Sequence, residues 1–323
     1  MRYKTLGRCG YSISEIGFGA WGIGGSLWKG GSDDEAIKAL HHACDFGLNF
    51  IDTALAYGQG HSENLVGQIL KERPERIFVA TKIPPKNQEW PAKHGVPVKH
   101  VFPSEHIIAC TERSLKNLGV DQIDLQQLHV WAKNWVEEPT WYETLLKLKK
   151  DGKIAHFGIS INDHDPDSAL QVVENGWIDS VQVIYNIFDP TPAKRLLPLC
   201  QEKNIGVIAR CPFDEGSLTG AITQETCFEK GDWRAFYFTD NRKKEVVARV
   251  EQLKAFLKEA HVATLSELAL RFCLSNKNIS AVIPGMRRVS HVEQNLIISD
   301  GKELSKKILG ELANHAWTRN FYD

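Results

Sequence analysis

Four residues in the first 130 of this chain could act together on a proton. They are Asp52, Tyr57, Lys82 and His129: an acid, a phenol, an amine and an imidazole. A phenol loses its proton near pH ~10, too high for easy exchange at neutral pH. A nearby lysine cation is expected to favour the phenolate and lower that value. A carboxylate would keep the lysine charged and in place. An imidazole beside them could donate a hydrogen bond to a carbonyl oxygen. Together these groups make a proton-delivery site suited to reducing a carbonyl. Singly, each has an ordinary explanation as a turn residue, a solvated cation or a structural histidine. Their joint placement at the ends of apolar runs is what makes coincidence a poor account.

Those runs recur. Ile16–Ala20, Asn49–Asp52, Ile77–Thr81, Ile123–Leu128, Ile154–Ile159, Ser180–Ile184, Ile205–Ala209 and Ser280–Ile283 read as eight strands, with helical segments between them. Ser32-Asp33-Asp34-Glu35 is a capping box, followed by Ile37, Leu40 and Cys44 at helical spacing and by Gly47 as a stop. Further helices are predicted over about 62–70, 105–118, 138–150 and 167–174. Strands buried on both faces read as continuous apolar runs. Eight such units predict an α/β fold, a (β/α)8 TIM barrel in one domain over residues 1–323. Residues 2–15 read as an N-terminal hairpin closing the barrel bottom. Residues 302–316 read as an extra C-terminal helix. Asp52, Lys82 and His129 then follow strands 2, 3 and 4, on the face where such barrels place chemistry. Two long stretches, 84–103 and 211–240, fall on that same face and are predicted to be binding loops.

Composition narrows the function classes. The 323 residues carry 39 Lys+Arg against 40 Asp+Glu. That balance lacks the basic excess of a nucleic-acid binder. No apolar run approaches a membrane span, and the N-terminus lacks the apolar core of a secretion signal. Seven scattered cysteines without a CxxC pair suit reduced thiols in a cytoplasmic protein. His94, His100 and His106 do not share metal-ligand spacing, and no metal site is expected. They read as loop surface. Gly17-Phe18-Gly19-Ala20-Trp21-Gly22 spells G-x-G-x-x-G after a strand, but Gly24 and Gly25 follow where the dinucleotide fingerprint needs a helix.

Asn49-Phe50-Ile51-Asp52-Thr53-Ala54-Leu55-Ala56-Tyr57-Gly58, with Ser62, Glu63 and Gly67, resembles the signature of the aldo-keto reductases. Ala80-Thr81-Lys82 and Leu128-His129 resemble that family's next two catalytic segments. The resemblance runs from Leu6 to Asn295. It implies hydride transfer with NADPH/NADP+, with NADH/NAD+ less favoured, and a small carbonyl or alcohol substrate. It implies Tyr57 as general acid, Lys82 with Asp52 tuning it, and His129 orienting the carbonyl. Ser160, Asn162 and Gln182 would hold the nicotinamide carboxamide, an amide meeting an amide. Arg210 and Pro212 would lie near the cofactor. Backbone N–H groups around Gly216, Ser217 and Leu218 would form an anion site for the pyrophosphate. Gly285, His291, Gln294 and Asn295 would meet the adenosine, and Arg287 or Arg288 a 2′-phosphate. Trp21 is expected beneath cofactor and substrate. Trp28, Trp131 and Trp135 are expected with it in the substrate pocket, alongside tail residues Phe321 and Tyr322. Some relatives are channel-associated subunits that sense cofactor state, which gives a regulatory alternative. A lysine-nucleophile isomerase or aldolase on the same barrel, using Lys82, is a further rival.

Overall fold

The computed structural model describes residues 1–25 and 27–319. Two antiparallel strands, β1 (Tyr3–Thr5) and β2 (Ser12–Ser14), form the N-terminal hairpin. Eight parallel strands follow: β3 (Phe18–Gly19), β4 (Phe50–Asp52), β5 (Phe78–Ile83), β6 (Ile123–Leu128), β7 (Ile154–Ser160), β8 (Ser180–Ile184), β9 (Gly206–Arg210) and β10 (Ala281–Val282). They are ordered β3 to β10 in chain order, each hydrogen-bonded to the next. Parallel bridges Ile16–Val282 and Gly19–Gly285 join the last strand to the first and close the barrel. At Gly19 the two backbones nearly touch: a Cβ there would lie 2.7 Å from the Ile283 carbonyl oxygen. The second glycine of the G-x-G-x-x-G string is therefore a barrel seam, not a phosphate turn.

The helices form as their sequences dictate. Ser32 Oγ accepts from the Glu35 N–H, and the helix Asp33–Asp45 buries Ala36, Ala39, Leu40, Ala43 and Cys44 on one face. The helix His61–Glu72 fills the next gap, Ser104–Leu118 the one after, and Thr140–Lys150 packs behind β7. The predicted final helix is shorter, Lys306–Leu312 with a tight turn Ala313–His315, because Ser305 and not residue 302 supplies the cap. The stretch 84–103 contains a short helix, Val98–Val101. The stretch 211–240 contains a 3-10 segment, Asp214–Thr219, and a helix, Trp233–Tyr237.

The barrel bottom is plugged. Leu6, Cys9 and Ile13 of the hairpin pack on Phe50, Ala80, Leu125, Ile208 and Ala281 from the strands. Arg8 fastens the plug, its guanidinium donating to the carbonyls of Gly176 and Lys203 at 3.0 Å each. The opposite, C-terminal end of the barrel opens into a cavity lined by both polar and apolar side chains.

Candidate active site

The strand ends project Asp52, Lys82 and His129 toward one point, and Tyr57 reaches it from the loop after β4. Lys82 is fully buried. Its Nζ donates to Asp52 Oδ2 at 2.6 Å, to the Thr53 carbonyl at 2.8 Å and to the Tyr57 hydroxyl at 3.2 Å. Gln182, arriving from β8, donates to the second carboxylate oxygen of Asp52 at 2.7 Å. The His129 ring meets the Tyr57 ring edge-on with centroids 5.6 Å apart. Its Nδ1 is buried and has no hydrogen-bond partner among the described residues.

Local structure fixes the phenol. Gly58, at φ 64°, abuts the Gly24 carbonyl so closely that a Cβ would sit 2.1 Å from it. Only glycine can turn the chain there and present Tyr57 inward. Arg113 pins the next residue by donating to the Gln59 carbonyl at 2.7 Å. Behind the site, Glu63 accepts from Thr81 Oγ1 at 2.6 Å and from Asn117 at 2.8 Å, which locks the strand that carries Lys82.

The electrostatics correct one expectation. The Tyr57 phenol is held well above its usual pKa, not below: burial dominates, and the Asp52 charge adds to it, while Arg210 opposes. Burial lowers the Lys82 pKa, with Asp52 resisting. Burial also holds His129 well below its usual value, helped by the Lys82 and Arg210 charges. Neutral imidazole and neutral phenol are the resting forms around pH ~7. Both can donate a hydrogen bond.

Asp52, Tyr57 and His129 form the floor of a cavity of about 1230 Å³, with Lys82 buried behind them. It is lined by Tyr57, His129, Ser160, Asn162, Gln182, Arg210, Pro212, Gly285, Arg287, Arg288, His291, Gln294 and Asn295. Most residues expected around a cofactor thus share one cleft. Asn162 is already engaged, exchanging hydrogen bonds with the Ala92 backbone, which ties the 84–103 loop to β7. Arg210 donates to the Ile161 carbonyl at 3.0 Å and to Asp163 at 2.5 Å. Arg287 lies on Gly22 and donates to the Lys29 carbonyl at 2.7 Å. Arg288 is more than half exposed and only loosely paired, 3.9 Å from Glu35.

Three expectations are corrected. Ser217 and Leu218 are buried and do not line the cavity, whereas Gly216 does. The N–H groups of Gly216 and Leu218 both donate to the Phe213 carbonyl at 3.0 Å, so they are consumed within their own turn. Trp131 and Trp135 lie in the core. Trp131 donates to the Ser168 carbonyl and Trp135 to the Val96 carbonyl, and both rings pack with Trp141 or Phe102 beneath the loops. His106 is not loop surface. It sits on the helix Ser104–Leu118, lines the cavity and hydrogen-bonds the Pro84 carbonyl at 2.8 Å. Phe321 and Tyr322 fall outside the described residues.

Trp21 and Trp28 do line the cavity, with ring centroids 5.1 Å apart. Two more tryptophans escaped the sequence reading: Trp233, 5.3 Å from Trp21, and Trp90, edge-on to His129 at 4.7 Å. Both lie in the long loops flagged as binding loops, which was their one available signal.

The model of the Aldo/keto reductase family matches residues 15–316. The chain is 31% identical over 297 residues to the aldo-keto reductase YhdN of Bacillus subtilis, covering 91% of this chain and 87% of that one. It is 31% identical over 316 residues to the NADH-specific methylglyoxal reductase of Escherichia coli, covering 92% and 93%. It is 30% identical over 332 residues to a probable voltage-gated potassium channel subunit beta of Arabidopsis thaliana, covering 92% and 90%. The glycerol dehydrogenase of Gluconobacter oxydans superposes with a TM-score of 0.78 at 27% identity, covering 98% and 97%. The chain belongs to the aldo/keto reductase family, and the (β/α)8 barrel with its N-terminal hairpin is that family's fold.

Proposed function

We propose that this family member, acting as one domain over residues 1–323, reduces an aldehyde or ketone to the alcohol with NADPH, and runs the reverse oxidation through the same groups. The observation that carries the reading is the hydrogen-bonded chain Asp52–Lys82–Tyr57 at a cavity floor, with the His129 ring beside the phenol. The nicotinamide cofactor, when bound, supplies the hydride.

The chain's own residues do the rest. Tyr57 gives its proton to the carbonyl oxygen, and its raised pKa keeps that proton available. The phenolate left behind is stabilised by the Lys82 ammonium, which Asp52 and the Thr53 carbonyl hold in position. Asp52 is in turn fixed by Gln182. Neutral His129 donates to the same carbonyl oxygen and orients it. The tryptophans Trp21, Trp28, Trp90 and Trp233 exclude water from this end of the cleft.

The volume of the cleft and the polar side chains that line it support a dinucleotide as its occupant. Ser160, Asn162, Gln182 and Arg210 come from the ends of β7, β8 and β9, and Gly285, Arg288, His291, Gln294 and Asn295 follow β10. Arg288 is the better candidate for a 2′-phosphate because Arg287 is committed to the Lys29 carbonyl. That favours NADPH over NADH. A cytoplasmic location and a small-molecule partner accompany this reading.

A steady-state screen of aldehydes, ketones and sugars with NADPH and NADH tests it. Turnover of at least one carbonyl compound with NADPH is expected. Tight NADPH binding without turnover of any of them would favour the second reading, a cofactor-sensing subunit, which the similarity to the probable channel subunit supports.

A further inference from the structure

Beside Lys82, part of the barrel interior is polar and unpartnered. In a parallel sheet, residues in register on neighbouring strands face the same side. Lys82 of β5 is in register with Gln127 of β6, Gln127 with Gly158 of β7, and Gly158 with Ser180 of β8. Lys82 reaches Asp52 and Tyr57, so this row faces the barrel axis. Gln127 and Ser180 are both fully buried. The amide nitrogen and oxygen of Gln127 and the hydroxyl of Ser180 have no hydrogen-bond partner among the described residues. Gly158 keeps the gap between them clear of a side chain: a Cβ there would lie 2.3 Å from Ser180 Oγ.

His129 follows two residues after Gln127. Its N–H donates to the Ile83 carbonyl at 3.0 Å, so the strand pairing continues to it. The two side chains therefore leave the same face of the chain, about 6.5 Å apart along it. The His129 ring lines the cavity, whereas its Nδ1 is buried and unpartnered among the described residues. Burial and the Lys82 and Arg210 charges keep the imidazole neutral. One ring nitrogen then carries the proton and the other is a bare acceptor. Donation to a carbonyl needs the proton on Nε2, at the cavity, and Nδ1 must accept a hydrogen bond from behind. Lys82 has none left to give, because its three N–H groups go to Asp52, Thr53 and Tyr57. Gln182 is turned to Asp52.

Buried polar groups are paired, and those too far apart for direct contact are paired through a buried water, which makes about three hydrogen bonds. Gln127, Ser180 and His129 offer that set. We propose that Gln127 is a positioning residue: with Ser180 it holds one water that donates to His129 Nδ1, which keeps the imidazole proton on Nε2, facing the substrate carbonyl. The water gives its second proton to the Gln127 amide oxygen and accepts from the Ser180 hydroxyl. This rests on the carbonyl-reductase reading above. Gln126 is equally buried and unpartnered among the described residues, but it faces the other side of β6, in register with Thr81 and Phe157. It cannot reach His129 Nδ1, and it serves as the control.

The experiment is nitrogen NMR of the whole protein with isotope-labelled histidine, beside kcat for carbonyl reduction and Kd for NADPH. The His129 signals are assigned by their loss in His129→Gln. In the wild type a protonated, pyrrole-type Nε2 and a bare, pyridine-type Nδ1 are expected. Gln127→Met keeps the side-chain size and removes both amide atoms. It is expected to draw the two His129 nitrogen signals together, as both tautomers become populated, with NADPH Kd unchanged. Its kcat is expected to fall by about 10–100-fold, the usual worth of an outer group that orients a histidine. Gln126→Met should leave the signals and kcat at their wild-type values. If Gln127→Met does not fold, Ser180→Ala should move the signals in the same direction. A wild-type proton on Nδ1, wild-type His129 signals in the Gln127 or Ser180 variant, or altered signals in Gln127→Met without a fall in kcat overturns the proposal. Turnover by the wild type with unmoved signals overturns the positioning role alone. Absence of carbonyl turnover by the wild type overturns the reductase reading and the role with it.

Discussion

The two ends of this barrel are built by opposite rules. At the bottom, Leu6, Cys9 and Ile13 close the strands with apolar contacts, and the hairpin's Arg8 meets backbone carbonyls at the rim. At the top, an ammonium and a carboxylate are buried against each other at the floor of a cavity. Substitutions at the two ends should therefore separate into losses of folding and losses of chemistry.

Lys82→Met is the one change expected to cross that division, and it should have the largest effect. It leaves Asp52 as a buried charge relieved, among the described residues, by the Gln182 amide alone. A loss of about 3–5 kcal/mol in unfolding free energy is expected from breaking such a pair. Turnover should fall by about 10²–10⁴, the usual worth of positioned proton transfer. Denaturant unfolding and steady-state rates measure both. Adding Asp52→Asn should recover stability and leave turnover lost. Recovery of both would mean that the pair is structural.

Ile13→Ala probes the other end. The side chain is fully buried in the plug, and its truncation is expected to cost about 2–5 kcal/mol. Turnover per folded molecule should stay at the wild-type value. A fall in kcat without loss of stability would show that the two ends are coupled.

Arg288→Ala should weaken NADPH by about 10–100-fold, since hydrogen bonds to charged groups are worth about 1.5–3 kcal/mol. NADH affinity should not change. Arg287→Ala should weaken both cofactors alike, because that guanidinium holds the loop at Lys29. Equal selectivity losses in the two variants would reject the division of roles. The smallest effect concerns pH. Burial and Asp52 raise the Tyr57 pKa, so the proton-donating form persists as pH rises past the value of a free phenol. Carbonyl reduction should stay level up to about pH 10, whereas alcohol oxidation, which needs the phenolate, should climb with pH.

The sequence was most informative where one physical signal decided the outcome. Strands Ile123–Leu128 and Ser180–Ile184 are buried along their whole length and span the residues expected, even though Asp124, Gln126 and Gln127 make the first of them half polar. The last strand is shorter than its run, Ala281–Val282, because Pro284 has no N–H to extend the ladder. Asp52, Lys82 and His129 were legible because strand ends of a barrel point at one site. Tryptophan type alone could not separate Trp21 and Trp28, which face the cleft, from Trp131 and Trp135, which face the core. That depends on which way an irregular loop turns. The contact between Cys211 and Glu215 depends on left-handed backbone at residues with a Cβ, which no spacing announces. The turn expected to hold the pyrophosphate differs for a related reason: the N–H groups of Gly216 and Leu218 point back at the Phe213 carbonyl.

The most direct test of proton delivery by Tyr57 is Tyr57→Phe, measured as kcat for carbonyl reduction beside Kd for NADPH on the same preparation. The expected result is a fall in kcat of about 10²–10⁴ with Kd and unfolding midpoint unchanged, since the substitution removes one hydroxyl and keeps the ring that packs on His129. Wild-type turnover in the Phe variant would contradict it.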